Sequence, residues 1–244
     1  IATTLVKNYS KLSELSIGEI ADMCFVSKAS VSRFCRFMGF ADFKDLRNQL
    51  EHDVLKTGLF PHAFVEQLSN DTEGALASYR EAILLNIETT ISAANIAKLP
   101  AIVDDLHDSG HVAFFSHHFL WDVGRYFQSR LTIMNRPIEL YLDYSSQLAC
   151  AQSLTKSSLA IICSIGGTYP IRYPEIVNAL AASGCRLLAI TQNTSSAYWN
   201  HASCILSCGV TNNIDTGKFG ALAAIDLIVM EYLRRYGADS GTGE

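Results

Sequence analysis

The chain has 244 residues, 49% of them apolar, and a formal net charge of −5. These values exclude a disordered chain and fit one large domain, or a small domain followed by a medium one. The apolar runs fall short of the ~20 residues that cross a bilayer and no leader pattern is visible, so the sequence reads as a cytoplasmic protein without a membrane partner.

The chain opens at Ile1 inside a helical pattern, so its natural start is expected upstream. Residues 1–56 read as all-helical. Ile1, Leu5, Val6, Tyr9 and Leu12 share one face of the first helix. Ser16 opens the second, and Glu19 three residues on completes a capping box, in which each side chain satisfies a free backbone N–H. Ser27 caps a third helix, and Gly39 suits its C′ stop. "ADFKDLRNQLEHDV" is a fourth helix with Phe43, Leu46 and Leu50 inward. Residues 57–72 contain Gly58 and Pro61, lose periodicity and read as a linker.

From residue 73 to 244 the pattern changes. A long helix comes first, and a shorter one ends near Gly110. Then apolar runs of strand length alternate with helices: "HVAFFS", "IELYLD", "LAIICSI", "RLLAIT" and "CILSCG". Strands that are apolar on both faces and alternate with helices predict a three-layer, doubly wound, five-stranded parallel sheet. In such folds ligands bind at the carboxyl ends of the strands. The seven cysteines are odd in number, form no C-x-x-C pair and mostly lie in apolar runs. That is the usage of buried free thiols in a reducing compartment. Cys204 and Cys208 lack companion ligands at metal-site spacing, so neither a metal nor another cofactor is expected.

The third helix, Ser27 to Met38, carries the first functional signal. Val31, Phe34, Cys35 and Met38 fall on one face, suited to pack on Ile17, Ile20, Ala21 and Val26. Ala29, Ser32, Arg33 and Arg36 fall on the other, with Lys28 and Ser30 at the flanks. No acid occurs between Asp22 and Asp42. The first 56 residues sum to +1, which leaves −6 for the rest. A local basic field on an acidic chain suits a local polyanion. Two capped helices joined across Cys24–Ser27 are built to place the second in a major groove. Short side chains then reach base edges, guanidinium groups meet guanine edges or phosphates, and the helix starts at Ser16 and Ser27 offer N–H groups to phosphates.

"SIGEIA", "VSKASVSRF" and "MGFADFKDLR" resemble the N-terminal helix-turn-helix domain of the MurR/RpiR family of bacterial transcriptional regulators. The resemblance spans nearly the whole first domain. It implies that a sugar-isomerase-like (SIS) domain follows, that this domain senses a phosphosugar, and that it helps the protein dimerise or tetramerise on a double-stranded DNA operator. Trp121 and Phe127 are the expected interface residues.

The third strand ends in "CSIGGTYP". Ser164, Gly166, Gly167 and Thr168 suit a phosphate cradle before a helix that begins near Tyr169, and equally a turn that needs glycine for its shape. The resemblance favours the cradle, although Gly166 stands where the family has a serine. The first strand's loop departs further: the family's Gly-x-Gly-x-Ser turn is here "FFSHHFLWD", with Ser116 but two histidines, His117 and His118. Thr191 to Ser196, including Asn193 and Ser195, either complete the polar shell of the ligand or form a turn and helix cap. Isomerase relatives of the SIS domain place a catalytic glutamate before the last helix. No Glu lies between Glu175 and Glu231, and Asp215 is the only nearby acid. A non-enzymatic regulator is therefore expected, with no catalytic residues. The alternatives are a regulator whose SIS domain serves only dimerisation, and a sugar-phosphate isomerase.

Overall fold

The computed structural model describes residues 1–8, 12, 15–38, 42–47, 62–210 and 214–237. The chain divides into two units, Ile1–Ala75 and Leu76–Glu244. The first holds helices α1 (Ala2–Lys7), α2 (Ile17–Met23), α3 (Lys28–Phe37), α4 (43–47) and α5 (His62–Asn70). Its core is Leu5, Leu12, Ile20, Ala21, Val31, Cys35, Phe43 and Leu46. The stretch read as a linker is therefore partly ordered: it loses its 3.6-residue apolar repeat, yet His62–Asn70 is helical. Residues 57–61, Gly39, Tyr9 and Leu50 lie outside the described residues, as does the Val6 side chain.

Two inward assignments are corrected. Val26 is 37% exposed and Met38 is 55% exposed. Both stand at helix ends, where the chain leaves the helical period. Met38 is the C-cap of α3, and Val26 ends the turn between α2 and α3.

The second unit is carried by a five-stranded, all-parallel sheet. α6 (Thr72–Thr90), α7 (Ala93–Ile96) and α8 (Leu99–Asp108) precede β1 (His111–Phe115). Then come α9 (Phe119–Ile133), β2 (Glu139–Leu140), α10 (Tyr144–Ser153), β3 (Ser158–Cys163), α11 (Tyr169–Arg172), α12 (Pro174–Ser183), β4 (Arg186–Thr191), β5 (Cys204–Ser207) and α13 (Ile214–Tyr236). The strand order is β2-β1-β3-β4-β5. Strand residues alternate between faces, which builds two cores. Val112, Phe114, Leu159, Ile161, Leu188 and Ile190 join α8, α9 and α13, whereas Ala113, Phe115, Ala160, Ile162 and Ala189 join α10 and α12. Gly124 lets α9 lie close to β1, since a Cβ there would stand 2.6 Å from Phe114 Cδ1. Phe127 is fully buried in this core, so it does not serve as the interface residue expected from the sequence.

The order of strands reverses direction between β1 and β3. In folds of this kind the ligand crevice lies at such a switch point, outside the carboxyl ends of the two strands. The loops at Ser116 and Ser164 flank it.

Candidate DNA-binding and effector sites

The first site is built from two helix starts and one turn. At α2, Ser16 N–H donates to Glu19 Oε2 at 2.7 Å and Glu19 N–H donates to Ser16 Oγ at 3.2 Å. The capping box read from the sequence is thus present in full. The Ser16 backbone N–H, followed by its hydroxyl, holds the Glu19 carboxyl below its ordinary value.

α2 ends in a Schellman turn, a signal the sequence hid. Phe25 N–H donates to Asp22 O at 3.1 Å and Val26 N–H to Ala21 O at 3.0 Å. This geometry puts the residue after the cap in the left-handed region, and Phe25 has φ +54. Glycine is the usual occupant because it has no Cβ to clash. The Phe25 side chain is 97% exposed, so no burial offsets the strain.

α3 then begins at Ser27. Its hydroxyl accepts from Ser30 N–H at 3.2 Å, the Ser27 and Ser30 hydroxyls are 3.0 Å apart, and Arg33 Nη2 donates to Ser30 Oγ at 3.1 Å. The residues form a ladder one turn apart along one face. Lys28, Ala29, Arg33 and Arg36 are exposed, Ser32 half-buried, and Val31 and Cys35 hold the opposite face in the core. Among the described residues, no carboxylate pairs with Arg33 or Arg36. Lys28 lies over the first turn of α2, where a Cβ on Gly18 would stand 3.2 Å from Lys28 Cε and 3.6 Å from Ser16 Oγ. The structure thus gathers Ser16, Ser27, Lys28, Ser30 and Arg33 at two adjoining helix starts, with Arg36 one turn further along.

The second site lies at the crevice. Ser164 is buried, and its hydroxyl accepts from Tyr169 N–H at 3.0 Å. Gly167 has φ +71, the conformation its glycine supplies, and a Cβ there would stand 3.4 Å from the Asn193 side chain. Thr168 is exposed and makes no side-chain cap bond to the helix it precedes. That helix is only four residues long, so it brings little dipole to the loop. Pro174 opens the next helix at once. Asn193 is half-buried, and its carbonyl accepts from Trp199 Nε1 at 2.9 Å. Ser195 is exposed in the following turn. Ser164, Gly167, Thr168 and Asn193 are therefore brought together, whereas no observed bond draws in Ser195.

Ser116 joins from β1. Its hydroxyl is buried with no hydrogen-bond partner among the described residues. Its carbonyl accepts from Gln147 Nε2 at 3.1 Å, and Gln147 Oε1 accepts from the Tyr169 hydroxyl at 2.6 Å. This buried relay ties β1, α10 and α11 together. Burial, foremost, pushes the Tyr169 hydroxyl well above its ordinary value. His117 lies 5.8 Å from the Tyr169 ring and 5.9 Å from the Tyr173 ring, so imidazole and phenol fill the start of this loop. His118 has φ +52 and ψ −139, backbone values that glycine adopts without steric cost. The glycine-like turn persists, although the glycine does not. The Asp215 side chain lies outside the described residues.

A second polar group went unnoticed in the sequence. Asn86 of α6 is buried and donates to Thr216 Oγ1 at 2.7 Å. Its Oδ1 accepts from Val210 N–H at 2.9 Å and Gln192 Nε2 at 3.2 Å. It joins the ends of β4 and β5 to the start of α13.

The chain thus joins a helix-turn-helix to a doubly wound, five-stranded parallel sheet. Residues 1–57 match the family described as "Helix-turn-helix domain, rpiR family". An uncharacterized HTH-type transcriptional regulator of Caldanaerobacter subterraneus subsp. tengcongensis is 24% identical over 205 residues, covering 79% of this chain and 67% of that protein. The structure of Vibrio vulnificus NanR complexed with ManNAc-6P superposes with a TM-score of 0.59 at 21% identity, over 98% of this chain and 87% of that one. The sugar isomerase domain of an RpiR transcription factor from Sphaerobacter thermophilus gives a TM-score of 0.56 at 17% identity, over 68% and 90%. Residues 1–57 thus carry a helix-turn-helix domain of the rpiR type. Among the described residues, no helix is long and apolar enough to cross a membrane.

Proposed function

We propose that the chain is a homodimeric or homotetrameric, cytoplasmic regulator. In this reading α3 reads the major groove of an operator, and a phosphosugar binds at the carboxyl ends of β1, β3 and β4. Residues 1–56 would bind DNA, 57–72 connect, and 73–244 sense and oligomerise; the compact units part nearby, between Ala75 and Leu76. The observation that carries the reading is the Ser27–Ser30–Arg33 ladder, exposed and without a carboxylate partner among the described residues. An oriented guanidinium with no acid beside it is suited to a phosphate or a guanine edge. Pairing of protomers is supported by the exposed apolar side chains Ile133, Met230 and Leu233 on α9 and α13.

For the effector, the supporting observation is the buried Ser116 hydroxyl at the switch point, which lacks a partner among the described residues. NanR, of the same fold, was solved with a phosphosugar. Ser116, Ser164, Gly166, Gly167, Thr168, Asn193 and Ser195 are the residues assigned to it. Electrophoretic shift of the chain on its own upstream region tests the DNA reading, and absence of sequence-specific binding at moderate salt overturns it. Thermal shift against a panel of phosphosugars tests the effector. Ligand at ~100 Kd raises stability by about 2.7 kcal/mol.

The packing of His117 on Tyr169 and Tyr173 favours a second reading, in which this domain only dimerises. Absence of any shift across the panel, with DNA binding intact, supports that alternative. An isomerase would require a placed base, and Asp215 is the only acid near the expected position.

A further inference from the structure

Three side chains of metal-ligating type converge at the amino end of β1, away from the loops that leave its carboxyl end. His111 opens β1, Glu139 opens β2, and Cys150 lies within α10. Glu139 is in register with Ala113, two residues beyond His111, so the strands put both side chains on the face that α10 covers. His111 Nε2 is 2.9 Å from Glu139 Oε1, and Cys150 Sγ donates to Glu139 Oε2 at 3.4 Å. One donor atom from each residue lies within 4.8 Å of the other two.

The ring nitrogen carries the second observation. His111 Nε2 is buried and makes no hydrogen bond of acceptable geometry, although the carboxylate oxygen is close. The Tyr141 hydroxyl donates to Glu139 Oε2 at 3.1 Å and orients the carboxylate from behind. The side chains of His111 and Glu139 are 31% and 42% exposed, which leaves a path for an ion and room for water as a fourth ligand.

We propose that His111, Glu139 and Cys150 bind a divalent transition-metal ion of the Zn²⁺ class. One imidazole nitrogen, one carboxylate oxygen and one thiolate are the donor types Zn²⁺ takes, with water completing a tetrahedron. Binding is balanced by one proton: the thiol releases it to solvent, and the sulfur lone pair and the His111 Nε2 lone pair go to the metal. The bound ion would pin the two-residue edge strand β2 to β1 and α10.

The test uses the full chain, stripped with chelator and titrated with Co²⁺, which takes Zn²⁺ sites and reports its ligands by colour. The expected result is a near-ultraviolet thiolate-to-cobalt absorption that saturates at one ion per chain. Cys150→Ser should abolish that band, and His111→Ala should weaken binding about 10-fold or more. Zn²⁺ should raise the melting midpoint of the natural chain and leave Cys150→Ser unmoved. Circular dichroism shows whether each variant is folded. If Cys150→Ser fails to fold, Zn²⁺ protection of the natural chain's Cys150 from alkylation, located by peptide mass, decides the matter. No cobalt–thiolate band in the folded natural chain, a band that persists in Cys150→Ser, or alkylation of Cys150 unslowed by Zn²⁺ would each overturn the site.

Discussion

Tyr169 donates its phenolic hydrogen to Oε1 of Gln147 at 2.6 Å, and both side chains are buried. Gln147 in turn holds the carbonyl of Ser116. Tyr169→Phe keeps the ring and strands the amide oxygen, and a buried acceptor without its donor costs about 1–3 kcal/mol. Urea unfolding followed by tryptophan fluorescence should show the loss, because both tryptophans, Trp121 and Trp199, lie in the second unit. An unchanged midpoint would mean that the relay carries no stability.

Phe25 holds a left-handed backbone with its side chain in solvent. Phe25→Gly removes the strain, and the greater freedom of glycine in the unfolded chain takes part of the gain back. The net stabilisation should be about 0.5–1 kcal/mol. Amide exchange in α2 and α3 should slow accordingly, and faster exchange would contradict the turn assignment.

The Glu19 carboxyl is lowered by the Ser16 N–H and hydroxyl. Its folded value lies below 4.5, the unperturbed one. The cap is therefore fully in force above 4.5 and is lost as pH falls through the folded value. The Ser16 amide resonance should titrate with a midpoint below 4.5. In Glu19→Gln, which keeps a side-chain acceptor, that titration should disappear.

Arg33→Ala and Arg36→Ala should each weaken operator binding. Where the lost contact is to a phosphate, the slope of log K against log salt should flatten by ~0.9. A guanine contact predicts the other outcome: full salt dependence with discrimination lost at one base pair. Binding isotherms over a salt series separate the two, and unaltered affinity in both variants would count against α3 as the reading helix.

Thr168 is exposed at the crevice and caps nothing with its side chain. Thr168→Val should leave folding and operator affinity alone and blunt the response to a phosphosugar. Calorimetric titration of both proteins checks this, and equal effector affinity would remove Thr168 from the cradle.

The readable parts of the molecule share a physical cause. "LAIICSI" reads as a central strand because parallel strands are covered on both faces, and every residue of β3 is buried. The Ser16–Glu19 cap is local chemistry at fixed spacing, so it can be seen in one line of sequence. Val26 and Met38 were misread because helical periodicity is meaningless beyond the cap. Phe127 reads as an interface residue by its apolar character, yet Leu120, Val123 and Leu131 mark its side of α9 as the buried one. The bonds that shape the crevice were out of reach: Gln147–Tyr169 and Asn86–Thr216 join residues far apart in the chain and require the strand order. The meeting of His111, Glu139 and Cys150 needs the same knowledge.

The central pairing of β1 with β3 matches residue 111 to residue 158, with α9, β2 and α10 between. No short hairpin can nucleate such a ladder; the intervening chain must first surrender much of its freedom. The capped helices of the first unit carry no such delay. A nascent chain should thus complete its N-terminal helices while the apolar strands behind them still wait for partners.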